Sequence, residues 1–126
     1  MAKILVVDDS KDISDLVKLV LELENHNVTV VNEPDMAVPT ALEFDPDLIL
    51  LDVVMPDVDG YEVFKEIREQ PALAQTPVAF LTGNNRTVDV MLGLHVMKAA
   101  DYITKPFGKQ ELLDRVNALL RKYSGF

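Results

Sequence analysis

The chain has 126 residues, of which 48% are hydrophobic and 26% are charged, and its formal net charge is −9 at pH 7. This length and composition suit one compact domain that buries most of its apolar surface. The absence of cysteine excludes disulfides and thiolate metal sites. The acidity argues against direct nucleic-acid binding by this domain, because Lys and Arg contacts to phosphate dominate such binding.

The sequence contains neither a recognisable targeting signal nor a membrane-spanning segment. No apolar stretch approaches the roughly 18 residues that a membrane span needs. The strand-like segment that follows Met1-Ala2-Lys3 is too short for the apolar region of a signal peptide. These features predict a cytoplasmic protein without membrane contact. His26 and His95 are the only histidines, which argues against a zinc site, and His26 is expected to be an exposed turn residue.

Strand-like and helix-like segments alternate along the whole chain. The pattern predicts, in order, a strand over 3–7, a helix over 10–24, a strand over 28–31 and a helix over 34–44. It then predicts a strand over 47–51, a helix over 60–69, a loop over 71–77 and a strand over 78–81. The last elements are a helix over 85–98, a strand over 101–104 and a helix over 109–122. Asp9 or Ser10 is the predicted cap of the first helix, and Pro39 is expected to kink or shorten the second.

Five strand–helix units imply an α/β domain over 1–126, with a parallel sheet covered by helices on both faces. Ligands of such sheets bind outside the carboxyl ends of the strands, where the strand order reverses. The polar residues of interest all follow strands at that edge, and they are Asp8, Asp9, Asp52, Thr82 and Lys105. We therefore expect a single site at this edge.

These five residues together indicate a function more specifically than any one of them does alone. Alone, Asp8-Asp9 most often caps a helix, and Asp52 most often starts a turn. Together, three carboxylates repel one another unless a cation lies among them, and an oxygen-only site favours Mg²⁺, with Mn²⁺ as the alternative. Lys105 adds a positive charge and Thr82 a hydroxyl donor. The set predicts an in-line phosphoryl-transfer site in which Asp52 is the nucleophile.

Several motifs carry a family resemblance that spans essentially the whole chain. They are Asp8-Asp9, Asp52 with Pro56 and Gly60, Leu81-Thr82, and the Asp-Tyr-Ile-Thr-Lys-Pro-Phe segment over 101–107. In this combination and order, they resemble the receiver domain of two-component response regulators, in the CheY-like superfamily. The resemblance implies a (βα)5 flavodoxin-like, doubly wound parallel sheet with strand order 2-1-3-4-5.

The resemblance also implies roles for the site residues. Asp52 would accept a phosphoryl group from a sensor histidine kinase or a phosphotransfer protein. Mg²⁺ would be bound by Asp9, Asp52 and the backbone carbonyl of Val54, with Asp8 assisting mostly through water. The Lys105–Pro106 peptide is expected to be cis.

The implied output is a two-state surface. Thr82 and Tyr102 resemble the family's switch pair, whose hydroxyl and ring move when Asp52 is phosphorylated. The movement would alter the surface formed by the fourth helix, fifth strand and fifth helix, which controls an effector domain or downstream protein. A homodimer through this surface is also predicted, with Asp101, Glu111 and Arg115 as pairing residues. Lys98 stands where the family often has glycine, so the end of the fourth helix is expected to differ.

Two other functions compete with the phosphoacceptor switch. A magnesium phosphatase of the haloacid-dehalogenase type would need a second Asp two residues after the nucleophile, and this position is Val54. A receiver-like module that only binds proteins would typically lack the acceptor Asp, the acidic pair or the Lys, and all are present. We therefore expect no enzyme activity beyond self-catalysed phosphorylation and dephosphorylation of Asp52.

Overall fold

A computed structural model describes residues 2–55, 58–83 and 98–124, apart from the side chains of Thr82 and Ser124. The central sheet has five parallel strands. They are β1 (Lys3–Val7), β2 (Asn27–Val31), β3 (Leu48–Leu51), β4 (Val78–Thr82) and β5 (Asp101–Thr104). The strands lie in the order β2-β1-β3-β4-β5, which confirms the predicted doubly wound, flavodoxin-like topology.

Helices flank the sheet and connect its strands. They are α1 (Lys11–Glu22), α2 (Ala37–Phe44), α3 (Gly60–Glu69) and a C-terminal helix (Lys109–Ser124). The helix predicted over 85–98 lies outside the described residues except for Lys98. Among the helices that the structure describes, none combines the length and apolar character that crossing a membrane requires.

The core is divided into two clusters by the sheet. Successive strand residues point to opposite faces, so each strand contributes to both clusters. One cluster, which includes Ile4, Val6 and Leu50, packs with apolar residues of α1 and the C-terminal helix. The other includes Leu5 and Val7 and packs with residues of α2 and α3. Burial of both faces explains why these strands read as continuous apolar runs.

Two local features differ from the predictions, whereas the shortened second helix agrees with the expectation for Pro39. Helix α2 begins at Ala37 after a 3₁₀ turn over Pro34–Met36, so it starts later than predicted. Pro39 is then its third residue, where a backbone N–H has no partner within the helix and its absence costs nothing. The turn after Asp52 contains a short antiparallel ribbon of Val54–Met55 with Val58–Asp59, which was not predicted.

His26 is also not the exposed turn residue that the sequence suggests. Its side chain is half-buried, and its Nδ1 accepts a hydrogen bond from the backbone N–H of Ala2 at 3.2 Å. Burial lowers the pKa of the imidazole, and the positive chain terminus lowers it further. His26 is therefore part of the packing at the amino edge of the sheet.

Candidate functional site

Asp8 and Asp52 lie side by side because β1 and β3 are neighbours in register. Val7 pairs with Leu51, and the backbone N–H of Asp52 donates to the carbonyl of Val7 at 2.9 Å. The next residue on each strand therefore emerges at the same point of the carboxyl edge. Asp8 is 1% exposed and Asp52 is 4% exposed. Two carboxyl groups are thus buried next to each other at the end of the sheet.

Backbone N–H groups orient both carboxyl groups. Oδ1 of Asp8 accepts from the N–H of Ser10 at 2.9 Å, and Oδ1 of Asp52 accepts from the N–H of Val54 at 2.9 Å. Ser10 is the N-cap of α1, which accepts from the N–H of Ile13 with its own hydroxyl. The start of α1 is therefore tied to the site through Asp8.

Lys105 follows β5 and reaches both buried carboxyl groups. Its Nζ lies 2.7 Å from Oδ2 of Asp8 and 3.3 Å from Oδ2 of Asp52. The Lys105–Pro106 peptide is cis. One ammonium group thus faces two carboxyl groups, which leaves an excess of negative charge for a further cation to balance.

Asp9 completes a cluster that can hold a metal ion. Oxygens of Asp8, Asp9 and Asp52 lie within 4.8 Å of one another, and Asp9 is exposed while the other two are buried. The donors are all carboxylate oxygens, and the exposed side leaves room for water ligands. Mg²⁺ favours this combination of few protein oxygens and retained waters, so the residues fit the predicted ion.

Gly60, the first residue of α3, packs directly on the turn that follows Asp52. A Cβ atom at this position would lie 2.6 Å from the carbonyl oxygen of Asp52 and still closer to the Cα of Val53. The N–H of Gly60 also donates to the carbonyl of Val53 at 3.3 Å. Glycine is therefore required here for close backbone approach, and this approach fixes the turn carrying Asp52.

The predicted switch pair lies on the two strands next to the site. Tyr102 on β5 is 4% exposed, and its ring packs edge-on against Phe80 of β4 with centroids 5.8 Å apart. Phe80 makes similar contacts with Tyr61 and Phe64 of α3. The backbone of Thr82 pairs with Thr104, but its hydroxyl lies outside the described atoms. The roles of Thr82 and Tyr102 stay predictions.

The residues suggested for a dimer contact one another within this chain. Nη1 of Arg115 lies 2.9 Å from Oδ1 of Asp101, and its Nε lies 3.6 Å from Oε2 of Glu111. Nη1 of Arg115 also donates to the carbonyl of Tyr102 at 3.3 Å. The C-terminal helix is thereby tied to β5, and the homodimer stays a prediction.

Asn32 contacts the backbone of Asp8, and Ser14 contacts Asn32; neither residue was identified from the sequence. Nδ2 of Asn32 donates to the backbone carbonyl of Asp8 and to Oγ of Ser14, both at 2.8 Å. Asn32 directly follows β2, so the rule that polar residues collect after strands would have found it. Nothing in the sequence pairs it with Ser14, because 18 residues separate them.

Similar proteins agree with this geometry. The family model described as the response regulator receiver domain matches residues 4–117. A transcriptional regulatory protein, SpaR of Bacillus subtilis, is 45% identical over 122 residues, which are 97% of this chain and 53% of SpaR. The chain thus spans about half the length of this relative.

Two solved structures are similar over nearly all of their length. The chemotaxis response regulator CheY4 of Vibrio cholerae has a TM-score of 0.87 and 31% identity, over 95% of this chain and 99% of that one. The BeF3-activated N-terminal receiver domain of RstA from Klebsiella pneumoniae has a TM-score of 0.85 and 32% identity, over 94% and 98%. With the matched family model, these likenesses show that this chain belongs to the receiver domains of two-component response regulators.

Proposed function

We propose that this receiver domain is switched by phosphorylation of Asp52. The observation that carries the proposal is the buried Asp52 carboxyl group, held beside Asp8 and facing Lys105. A carboxylate oxygen of Asp52 attacks the phosphorus atom of a phosphohistidine. The O–P bond forms while the P–N bond breaks, and the imidazole leaves as it takes up a proton.

The neighbouring residues stabilise the charge that this transfer moves. The ammonium of Lys105 neutralises phosphoryl oxygens, and the hydroxyl of Thr82 donates to one of them after transfer. Asp9, Asp52 and the carbonyl of Val54 would hold Mg²⁺, with Asp8 assisting mostly through water, and the bound ion would supply further positive charge to the phosphoryl oxygens. Because Val54 occupies the position where a hydrolase needs an acid, the domain has no turnover on released substrates.

An apolar surface beside the site supports a protein as the phosphodonor. A pocket of about 320 Å³ next to Lys105 is lined by Ile13, Leu16, Pro106 and Phe107. Leu16 is 50% exposed, and two further exposed leucines follow it along the chain, Leu19 in α1 and Leu23 at its C-cap, which are 59% and 60% exposed. These three residues form the leucine row. A sensor histidine kinase or phosphotransfer protein that covers this row would bring its histidine to Asp52 and exclude water.

The phosphorylated domain would signal through a second protein contact, which is made with an effector domain or a downstream protein. SpaR is called a transcriptional regulatory protein, and this chain corresponds to about half of its length. We propose that phosphorylation alters the surface around β5 and the C-terminal helix, and that this surface controls the effector. Nucleic acid binding by the receiver domain itself is not part of this function, because the domain carries a net charge of −9.

Intact mass measurement after incubation with acetyl phosphate and Mg²⁺ tests the phosphoacceptor. We expect one phosphoryl adduct. It should not form when EDTA is present during the incubation, and it should be absent from the Asp52→Asn variant. Asp15→Asn is the matched control, because Asp15 is an exposed carboxylate on α1 outside the acidic cluster. An adduct that persists in Asp52→Asn would assign the phosphoryl group to another residue. If the folded protein gains no adduct from acetyl phosphate and none from a histidine kinase, the phosphoacceptor proposal is wrong. The domain would then be a protein-binding module.

A further inference from the structure

Asn32 connects three parts of the molecule around Asp8. It follows β2, and its Nδ2 donates at 2.8 Å both to the carbonyl of Asp8, in the turn after β1, and to Oγ of Ser14, in α1. The backbone at this point is already held by a bond of 3.0 Å from the N–H of Asp8 to the carbonyl of Val31. The side chain of Asn32 therefore adds a second connection between β2 and the turn that carries the acidic pair.

The burial of this network makes its hydrogen bonds matter. Ser14 is fully buried, and its hydroxyl donates to the carbonyl of Lys11 at 3.1 Å while its oxygen accepts from Asn32. A buried polar group that loses its partner pays the full cost of desolvation, about 1–3 kcal/mol. The arrangement of Asn32, Ser14 and the Asp8 carbonyl is therefore strongly preferred over alternatives that leave one of them unpaired.

The carbonyl that Asn32 holds belongs to the peptide unit between Asp8 and Asp9. This unit is planar, so fixing the direction of the carbonyl also fixes the N–H and the Cα of Asp9. The carboxyl group of Asp8 is fixed separately, by the N–H of Ser10 and by Lys105. Asp9 is exposed, so burial does not position it as it positions the other two carboxyl groups of the cluster. The peptide plane fixes the Cα from which the Asp9 side chain extends toward the cluster.

We propose that Asn32 is a positioning residue for the metal site, which acts through the Asp8–Asp9 peptide on Asp9. The inference rests on the proposed function, because it assumes that Asp9 is a metal ligand. Residues that orient metal ligands in this way change metal affinity by about 10–100-fold when they are replaced. Asn32 makes no contact with the ion in this scheme, and it sets the position from which Asp9 binds.

The test is a titration of the metal-free protein with MgCl₂, followed by NMR of the backbone amides. Asn32→Leu preserves much of the side-chain size and removes the donor, and we expect it to weaken Mg²⁺ binding about 10-fold. It should also shift the Asp9 amide resonance before any metal is added, because the peptide plane is released. Asn27→Leu is the matched control, an exposed asparagine at the far end of β2, and should leave both readouts unchanged.

Two results overturn the proposal, and a third overturns the proposed function with it. Equal Mg²⁺ dissociation constants for wild type and Asn32→Leu would show that Asn32 does not position the site. An Asp9 amide resonance that does not move in metal-free Asn32→Leu, even if the midpoint of thermal unfolding falls, would show that Asn32 does not hold the Asp8–Asp9 peptide. A wild-type protein that does not bind Mg²⁺ at all would remove the metal site itself, and the two failures are thereby distinguished.

Discussion

The two edges of the central sheet carry the same charged residue types in different settings. At the amino edge, the backbone N–H of Lys3 donates to Oδ2 of Asp47 at 2.8 Å, and the exposed Lys3 side chain reaches the carbonyl of Phe44 at 3.0 Å. At the carboxyl edge, Asp8 and Asp52 are almost completely buried and share one ammonium group. Water screens the charges at the first edge, whereas at the second edge the carboxyl groups depend on protein partners.

This difference separates structural charges from functional ones. Contacts of exposed charged groups contribute roughly 0–1 kcal/mol to stability and could be replaced at little cost. Buried carboxyl groups in excess of their cations cost free energy, and a fold retains such an arrangement where a ligand compensates it. The acidic residues of the carboxyl edge are therefore interpreted as a site, and those of the amino edge as ordinary surface contacts.

The amino edge has its own kind of strain, which lies in the backbone. Among the described residues, three that are not glycine have positive φ, and they are Asn25 at 64°, Asp45 at 54° and Lys98 at 59°. Each lies in a turn that leads into a strand, before β2, β3 and β5 respectively. Short polar side chains tolerate this conformation better than long ones do, so Lys98 is the most strained of the three.

The largest expected change in stability comes from replacing one lysine at each edge of the sheet, which compares the two edges directly. Without Mg²⁺, Lys105→Met leaves two adjacent buried carboxyl groups without their cation, and we expect a loss of about 3 kcal/mol in the free energy of unfolding. Lys3→Met should cost less than about 1 kcal/mol, because Lys3 is exposed and loses only weak contacts of its ammonium with the Phe44 ring and carbonyl. Urea unfolding of both variants measures the difference.

Magnesium provides the control for this pair of variants. Added Mg²⁺ should restore part of the stability of Lys105→Met, because it supplies positive charge to the same carboxyl groups. It should leave the difference between wild type and Lys3→Met unchanged. Equal losses at the two edges would show that burial of the acidic cluster stores no electrostatic free energy, and the distinction between the edges would be wrong.

A smaller effect is expected from relieving backbone strain at the amino edge. Lys98→Gly should raise the free energy of unfolding by about 1 kcal/mol, because glycine adopts positive φ without a Cβ clash. Asn25→Gly is the matched control and should gain less, since asparagine already tolerates this region. Thermal unfolding of the two variants ranks them. A gain from Asn25→Gly that equals or exceeds the gain from Lys98→Gly would contradict the assignment of strain.

These edges also show how far sequence reasoning reaches. Asp8, Asp52 and Lys105 could be placed together because each follows a recognisable strand, and the parallel topology brings strand ends to one edge. The late start of α2, the contact between Asn32 and Ser14 and the burial of His26 could not be predicted. They depend on which distant segments meet, and neither local propensity nor hydrophobic period contains that information.

The smallest expected effect is a pH dependence at the amino edge, and it comes from His26. Burial and the positive chain terminus lower the pKa of this imidazole from 6.5 in the folded state, while Glu24 and a hydrogen bond with Asn117 oppose the change. Above pH 6.5 the histidine is neutral in both states, and its contribution to stability is complete. As the pH falls from 6.5 toward the folded-state pKa, the unfolded chain binds the proton first, so stability is lost across that interval.

His26→Gln removes this titration and retains an acceptor for the N–H of Ala2. We expect wild type to lose slightly more stability than the variant as the pH falls from about 7 to about 5, in urea unfolding at each pH. His95 and the carboxyl groups are present in both proteins, so their contributions cancel in the difference. Parallel profiles would mean that the half-buried imidazole accepts a proton as readily as in the unfolded chain. The His26 imidazole would then add no electrostatic cost at the amino edge, in contrast to the buried carboxyl groups of the acidic cluster.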